Sequence, residues 1–358
     1  MVLFPLATLV CLVSVAFGLS CEEKIAPKVM LAANAAELAY IKEFNFTTVV
    51  QTEFNDIVAC TNDYQICQFN ATTQIKAAIA WTSLMNSRAF DFTQTYFLVS
   101  GTGGANPRVA AAGGVAISRF VMQFERGSMF FGSDLPENFT GNYFWAGGQT
   151  PSVYPSLVDT ELFEFNTDLI DRIFDLSKDL EMTEISDDLI AYREKYEYPA
   201  ARRSPFIAKC DTVASNAYWH GDVAATNVEN YVRLLSNGTA NYCNTNQDDT
   251  GRAAAMFHAA RNGKLDFSRV AFVKAFSNYD RPPPSMTAYQ TRMMGDSATD
   301  VGLKNSWKVV LTFVDDVLNN WSSMYANGIQ ATGYVGDICD SMGDQIPIFV
   351  PSKCRIYS

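Results

Sequence analysis

Tyr96-Phe97-Leu98-Val99-Ser100-Gly101-Thr102-Gly103-Gly104-Ala105-Asn106-Pro107-Arg108 is the stretch that decides the fold. Tyr96 to Val99 is apolar without alternation and carries aromatic and β-branched members, the pattern of a strand buried on both faces. It breaks into Ser-Gly-Thr-Gly-Gly, where glycines permit positive φ and close approach of another group to the backbone. At the carboxyl end of a parallel strand, Gly101, Gly103 and Gly104 offer bare N–H groups and Thr102 a hydroxyl, where open α/β sheets bind ligands. A tight turn is the commoner meaning of a lone Gly-rich tetrapeptide. Its weight therefore depends on what other segments bring to the same place.

Working outward, residues 28–32 read as a first buried strand and residues 34–38 as the opening of a helix. Glu37 in that first turn suits the helix dipole, and it also stands within reach of a site at the strand's end; both roles stay open. Residues 46–51 read as strand, 56–68 as a disulfide-pinned loop with a short strand, and 72–86 as a helix packed behind the Gly-rich strand. Strand-like stretches follow in 109–123, then a Gly-, Pro- and aromatic-rich loop over 130–154 placed to lid a pocket. Residues 160–184 and 186–196 have the spacing of amphipathic helices, and 206–215 that of a buried strand. Helix, strand, helix and strand are then expected over 229–236, 240–244, 250–262 and 267–276, with a last long helix over 303–324. This alternation predicts an α/β fold: one three-layer α/β/α domain over 19–358 around a central mixed, mostly parallel twisted sheet.

Composition narrows the function. Residues 1–18 are mostly apolar and end in Ala16-Phe17-Gly18, a small-x-small pattern that reads as a secretory signal peptide. No later run reaches the ~18 apolar residues that span a bilayer, so a secreted chain without a further membrane segment is expected. Net charge is −11, with no Lys/Arg cluster. Nucleic-acid binding has no electrostatic footprint here. Cysteines 21, 60, 67, 210, 243, 339 and 354 follow the leader, and export favours disulfides. The expected pairs are Cys60–Cys67, Cys339–Cys354 and Cys210–Cys243, with Cys21 left over. None has zinc-site spacing and the chain holds only 2 histidines, so no metal is expected. Sequons at Asn45, Asn70, Asn138, Asn237 and Asn320 fit an exported glycoprotein.

Polar clusters stand at the ends of several predicted strands: Asn34 with Glu37, the glycine turn, Gln247-Asp248-Asp249, and Asp280. The aromatic pair Tyr218-Trp219 follows another. Each has a plain alternative, as helix cap, turn residue or core ring. Their order along the chain is more informative. Together with YFLVSGTGGANPRVA, ASNAYWHGD, DFSRVAFVKAFSNYDRPPP and the opening KVMLAANAAELAYI, that order resembles the nucleoside phosphorylase/nucleosidase superfamily. More specifically it is similar to the fungal-type purine nucleoside permease family, over most of the chain from Lys28 to about Trp321.

The resemblance implies a purine nucleoside as the small-molecule partner. By it, the glycine turn with Thr102 would hold an attacking water or phosphate, and Tyr218 and Trp219 would stack on the base. Asp248 and Asp249 would bind the ribose hydroxyls, Asn34 and Gln247 would also be substrate-binding, and Asp280 would be the general acid at the base. Cleaving an N-glycosidic bond builds a cationic sugar while negative charge moves into the base. A carboxylic acid in a dry pocket relieves the second and a carboxylate under the sugar the first. No cofactor is implied beyond inorganic phosphate as a possible co-substrate, and relatives commonly form homo-oligomers.

Departures from the family pattern shape the expected reaction. Val99 and Ser100 fill positions where phosphorolytic members carry an arginine, and a phosphate without a guanidinium loses its bidentate contact. That favours hydrolysis, with Arg108 and Arg119 as other sources of phosphate contacts. The glutamate that activates water in hydrolytic members aligns with Ala35, leaving Glu37 as the nearest base, and Asn216 replaces an aspartate. The leading expectation is a secreted purine nucleosidase using Asp280, Glu37 and Thr102. The alternatives are a non-catalytic binding protein that assists nucleoside uptake, and a storage protein with a decayed site.

Overall fold

Val29–Ala33, with no polar side chain among them, form β1, buried along its whole length. The computed structural model describes residues 23–137, 143–145, 152–295 and 297–342. The expected leader, Cys21, the Asn138 sequon, the Cys354 half of one predicted disulfide and the middle of the 130–154 loop lie outside the described residues. After β1, Asn34 caps a single helical turn, α1 (Ala35–Leu38). An antiparallel edge, β2 (Thr48–Gln51) with β3 (Ile57–Cys60), leads to β4 (Ile66–Asn70), parallel to β1. Helix α2 (Gln74–Asn86) carries the chain to β5 (Tyr96–Val99), on the other side of β1 and also parallel to it.

Past the glycine turn come β6 (Thr102–Ala105), β7 (Val115–Ser118) and β8 (Phe120–Gln123), while β9 (Gly127–Met129) and β10 (Tyr143–Trp145) form a small separate pair. Then follow β11 (Leu162–Glu164), α3 (Thr167–Ser177), α4 (Asp187–Arg193), β12 (Ile207–Lys209) and β13 (Asp211–Ala214). Next are α5 (Asp222–Leu235), β14 (Tyr242–Asn246), α6 (Asp249–Arg261) and the long β15 (Val270–Tyr279). The short α7 (Ala288–Met293), the long α8 (Thr299–Asn319) and β16 (Gly336–Asp337) follow.

The main sheet runs β16-β11-β8-β13-β14-β6-β15-β5-β1-β4-β3-β2, with β7 pairing to β15 and β12 to β7 off this path. Its centre is parallel from β4 through β1, β5 and β15 to β6. A second parallel block, β14-β13-β8, joins the first through the antiparallel β6–β14 pair, and both edges are antiparallel. The sheet is thus mixed, as expected. Tyr96 and Phe97 show the layers directly, because neighbours on a strand point to opposite faces. The Phe97 ring meets Trp81 of α2, and the Tyr96 ring meets Phe313 of α8. Helices cover both faces of β5, which is why an apolar run without alternation belongs there.

Two disulfides match expectation: Cys60–Cys67 across β3 and β4, and Cys210–Cys243 from the start of β13 to β14. The predicted helix over 160–184 is corrected: residues 162–164 are strand, paired to β8 and β16, and helix begins only at Thr167. Side-chain spacing near the join is helical, but the unpaired edge of β8 claims the backbone of Leu162–Glu164, a long-range demand no local window registers. The single strand expected over 206–215 breaks at Cys210, so that β12 pairs with β7 and β13 with β8 and β14.

Candidate functional site

The glycine turn is where three strands crowd one another. At Gly101 φ is +113°, and a β-carbon there would lie 2.5 Å from Glu37 Oε2, so only glycine lets the carboxylate lie against the turn. Gly103 is pressed from elsewhere: its β-carbon would fall 2.2 Å from the Thr245 carbonyl of β14. The close approach read from the sequence is real, but at Gly103 and Gly104 the approaching groups are β14 and Asn278 of β15.

Glu37 has both of the roles left open above. It closes a capping box, with the Asn34 N–H donating to Oε2 at 3.0 Å and Asn34 Oδ1 accepting from the Glu37 N–H at 3.0 Å. Its other oxygen accepts from the Thr102 N–H at 2.7 Å and the Thr102 hydroxyl at 2.8 Å. Trp307 of α8 donates to the Glu37 carbonyl at 2.9 Å, pinning α1 from below. The carboxylate is therefore oriented by three donors, and it lines a cleft of about 250 Å³.

That cleft gathers the ends of separate strands. Asn34 and Glu37 come from the cap and turn of α1 just after β1, Thr102, Gly103 and Gly104 from the glycine turn, and Tyr218, Trp219 and His220 from the loop after β13. Gln247 and Asp248 come from the end of β14, and Lys274, Ser277, Asn278 and Asp280 from β15. Pairing β6 antiparallel to β14 sets Thr245 beside Gly104, which draws the β14 end to the turn although the two strands oppose each other.

Asp249 and Gly101 do not line the cleft. Asp249 is fully buried behind it, accepting from Asn246 Nδ2 at 2.7 Å and paired with Lys274 and Arg252, each at 3.2 Å. Burial pushes its carboxyl up to about 6 against the pull of Lys274. Asp248 remains at the cleft with Arg252 2.9 Å from its second oxygen. Asn216 is drawn away, its side chain accepting from the Gln74 N–H at 3.1 Å. Gln247 Nε2 donates to the Asn216 carbonyl at 3.1 Å.

Asp280 is buried at the end of β15 and receives three donors: Arg281 Nε at 2.8 Å, Arg281 Nη2 at 3.1 Å and the Tyr242 hydroxyl at 2.7 Å. Burial raises its carboxyl above the usual range, opposed by the Arg281 guanidinium and the Tyr242 hydroxyl. Burial likewise holds the Tyr242 phenol well above its ordinary value, so that hydroxyl keeps its proton. Arg281 reaches on to Glu229 at 2.9 Å, and Glu229 accepts from Asn106 Nδ2 at 2.9 Å and pairs with Arg108 at 2.6 Å. A ladder Asp280–Arg281–Glu229–Arg108 thus leads from the cleft to the surface.

Neither arginine expected to meet phosphate is at the cleft. Arg108 is at the outer end of that ladder and Arg119 is bound to Glu164 at 2.5 Å, both claimed by carboxylates. Arg292 of α7 lines the cleft instead, its guanidinium 4.8 Å from the Tyr218 ring centroid. Tyr218 is exposed, whereas Trp219 packs on Phe124 with centroids 5.4 Å apart. His220 Nε2 is 2.6 Å from the Thr291 hydroxyl, and burial followed by the Arg292 charge holds its imidazole below the ordinary value. His220, Tyr242, Glu229, Lys274 and Arg292 were not singled out by sequence. Only His220, adjacent to the Tyr218-Trp219 pair, had a local signal.

A continuous sheet whose parallel strands end at a polar cleft, with an oriented glutamate at one wall and a buried aspartate at another, defines an α/β protein with a small-molecule site. The sequence profile described as purine nucleoside permease (NUP) matches residues 27–330. A purine nucleoside permease of Candida albicans is 31% identical over 295 residues, covering 80% of this chain and 72% of that protein. A probable purine nucleoside permease of Schizosaccharomyces pombe is 30% identical over 315 residues, covering 83% of this chain and 90% of that one. The chain belongs to the purine nucleoside permease family. Among solved structures, a 5'-methylthioadenosine/S-adenosylhomocysteine nucleosidase from Neisseria meningitidis is similar with a TM-score of 0.49 and 13% identity, over 82% of this chain and 99% of that one. A futalosine hydrolase of Helicobacter pylori is similar at 0.47 and 11%, over 82% and 98%.

Proposed function

We propose that this protein binds purine nucleosides in the cleft and cleaves their N-glycosidic bond, with water as nucleophile. The observation that carries this reading is one cleft lined by both Glu37 and Asp280, two carboxylates in unlike settings. Glu37, aimed by Thr102 and Asn34, takes the proton of the attacking water. Asp280, raised by burial, gives a proton to the departing base. Arg281 and Tyr242 then stabilise the carboxylate left behind. Asp248 takes the sugar hydroxyls, and Tyr218 and Trp219 flank the base. The two disulfides support an oxidising compartment, hence an exported protein.

Among the described residues no helix is long and apolar enough to cross a membrane. A second reading, nucleoside binding without turnover in aid of uptake, is favoured by one observation: each oxygen of Glu37 and Asp280 already accepts a hydrogen bond. Chromatography of products from a purine nucleoside panel, with and without phosphate, separates the two. Free base and ribose without phosphate are expected, with Asp280→Asn and Glu37→Gln each slower by about 10²–10⁴-fold. Tight binding with no product in the unmodified protein would replace this reading with the second.

A further inference from the structure

The sequons are not alike once the chain is folded. Asn138 lies outside the described residues. Asn320, half-buried at the end of α8, spends its amide nitrogen on Asp316, donating to the carbonyl at 3.2 Å and to Oδ1 at 2.8 Å. Asn45, Asn70 and Asn237 are exposed, as a residue carrying a bulky glycan has to be. The sequons of Asn45 and Asn237 share no residue with the cleft, whereas Thr72, the third residue of Asn70-Ala71-Thr72, lines it.

Asn70 ends β4 opposite Ala33 of β1, directly before the Asn34 that caps α1 at the cleft. Its side chain makes no hydrogen bond among the described residues, so the amide nitrogen is open to substitution. Buried Ala71, whose carbonyl accepts from Arg252, fixes the segment between the asparagine and the cleft. Two residues of chain span at most ~7 Å, so a group rooted on Asn70 starts at the rim. The rim in question is the side of Gln247 and Asp248. Gln74, two residues beyond Thr72, donates its N–H to Asn216 and its amide to Thr250, and Gln247 donates to the Asn216 carbonyl.

We propose that Asn70 is an N-glycosylation site whose glycan extends the rim of the cleft, admitting single nucleosides and holding off ligands that carry a large group on the ribose. The donor is a lipid-linked oligosaccharide diphosphate of the export pathway. Transfer joins the glycan's C1 to Asn70 Nδ2 and breaks the C1–O bond to the diphosphate, and one amide proton leaves with the lipid diphosphate. Thr72 supplies the hydroxyl residue of the sequon. The glycan is bulky and hydrated, so it occupies the water above the Asp248 side of the cleft. Its role at the rim rests on the nucleoside reading above; its attachment does not.

Glycopeptide mapping by mass spectrometry, on the full chain secreted by a eukaryotic host, tests the attachment. Asn70 is expected to be occupied and Asn320 bare. Asn70 bare, or no better occupied than Asn320, overturns the site. Calorimetry with adenosine and adenylyl-(3'→5')-adenosine tests the rim on three forms: the glycosylated chain, the same chain trimmed by an endoglycosidase to one sugar per site, and Asn70→Gln. Adenosine is expected to bind alike in all three, and the dinucleoside roughly tenfold tighter in the last two. The phosphodiester is the same throughout, so the comparison isolates the glycan. Equal dinucleoside binding in the glycosylated chain and Asn70→Gln overturns the rim and leaves the attachment standing. No adenosine binding in any form overturns the nucleoside reading and the rim with it, while an occupied Asn70 still supports the site. Asn70→Gln is a surface change that keeps the fold, which thermal melts check.

Discussion

Gly103 carries more structural demand than its place in a glycine run advertises. A methyl group there would fall 2.2 Å from the Thr245 carbonyl and 2.6 Å from the Asn244 amide nitrogen, with strands on both sides. Gly103→Ala is expected to lower stability by about 3 kcal/mol or to prevent folding, read as a fall in melting temperature. A variant as stable as the parent would mean that β14 stands farther off. The sequence revealed the need for small residues here but not the reason, since Thr245 and Asn278 are far along the chain. Asp280, Glu37 and Asp248 were legible because acids at strand ends are few. Arg292 was not, since an isolated arginine after a proline run carries no pattern. Glu229, on a helix face, looks like any solvated acid until Arg281 and Asn106 are seen to meet it.

Among elements, β14 and α5 act on the end of β15 through Tyr242, which donates to Asp280, and Glu229, which pairs with Arg281. Glu229 of α5 raises the Asp280 carboxyl by its charge. Glu229→Gln therefore lowers the Asp280 value, and the limb of the pH–rate profile that reports the acid moves to lower pH. An unmoved limb would assign that limb to another group. The two disulfides differ in the chain they close, 33 residues for Cys210–Cys243 against 7 for Cys60–Cys67. Loop entropy gives about 4 and about 2 kcal/mol. Replacing both cysteines by serine should thus cost more at the first site, in denaturant midpoints measured on each double variant. Strands buried on both faces, such as β5, announced themselves by composition. The three-residue β11 did not, because its state is decided by the open edge of β8 and not by its own side chains.

At the scale of the molecule, burial leaves several carboxyls with raised values: Asp211 and Asp249 at about 6, and Glu161 and Glu164 also upward. Desolvation is the leading cause in each, with backbone donors or cations opposing it. A raised carboxyl contributes stability that is complete below the unfolded value, near 3.8 for aspartate, and is lost as pH rises through about 6. For Asp211 that shift is worth up to about 3 kcal/mol across the window. The melting temperature should therefore be higher at pH 5 than at pH 7.5, and a flat or rising trend to pH 7.5 would contradict these burials. Layer order and sheet class were legible in the alternation of apolar runs; the antiparallel β6–β14 junction was not, since it turns on two strands far apart in the chain. One residue from the phenol that contacts Asp280, Cys243 is bolted to Cys210. Material made in a thiol-rich cytosol would keep its sheet yet lose that bolt, so an inert preparation from such a host would report on slackened rigging at Tyr242, and refolding under an oxidant would bring the chemistry back.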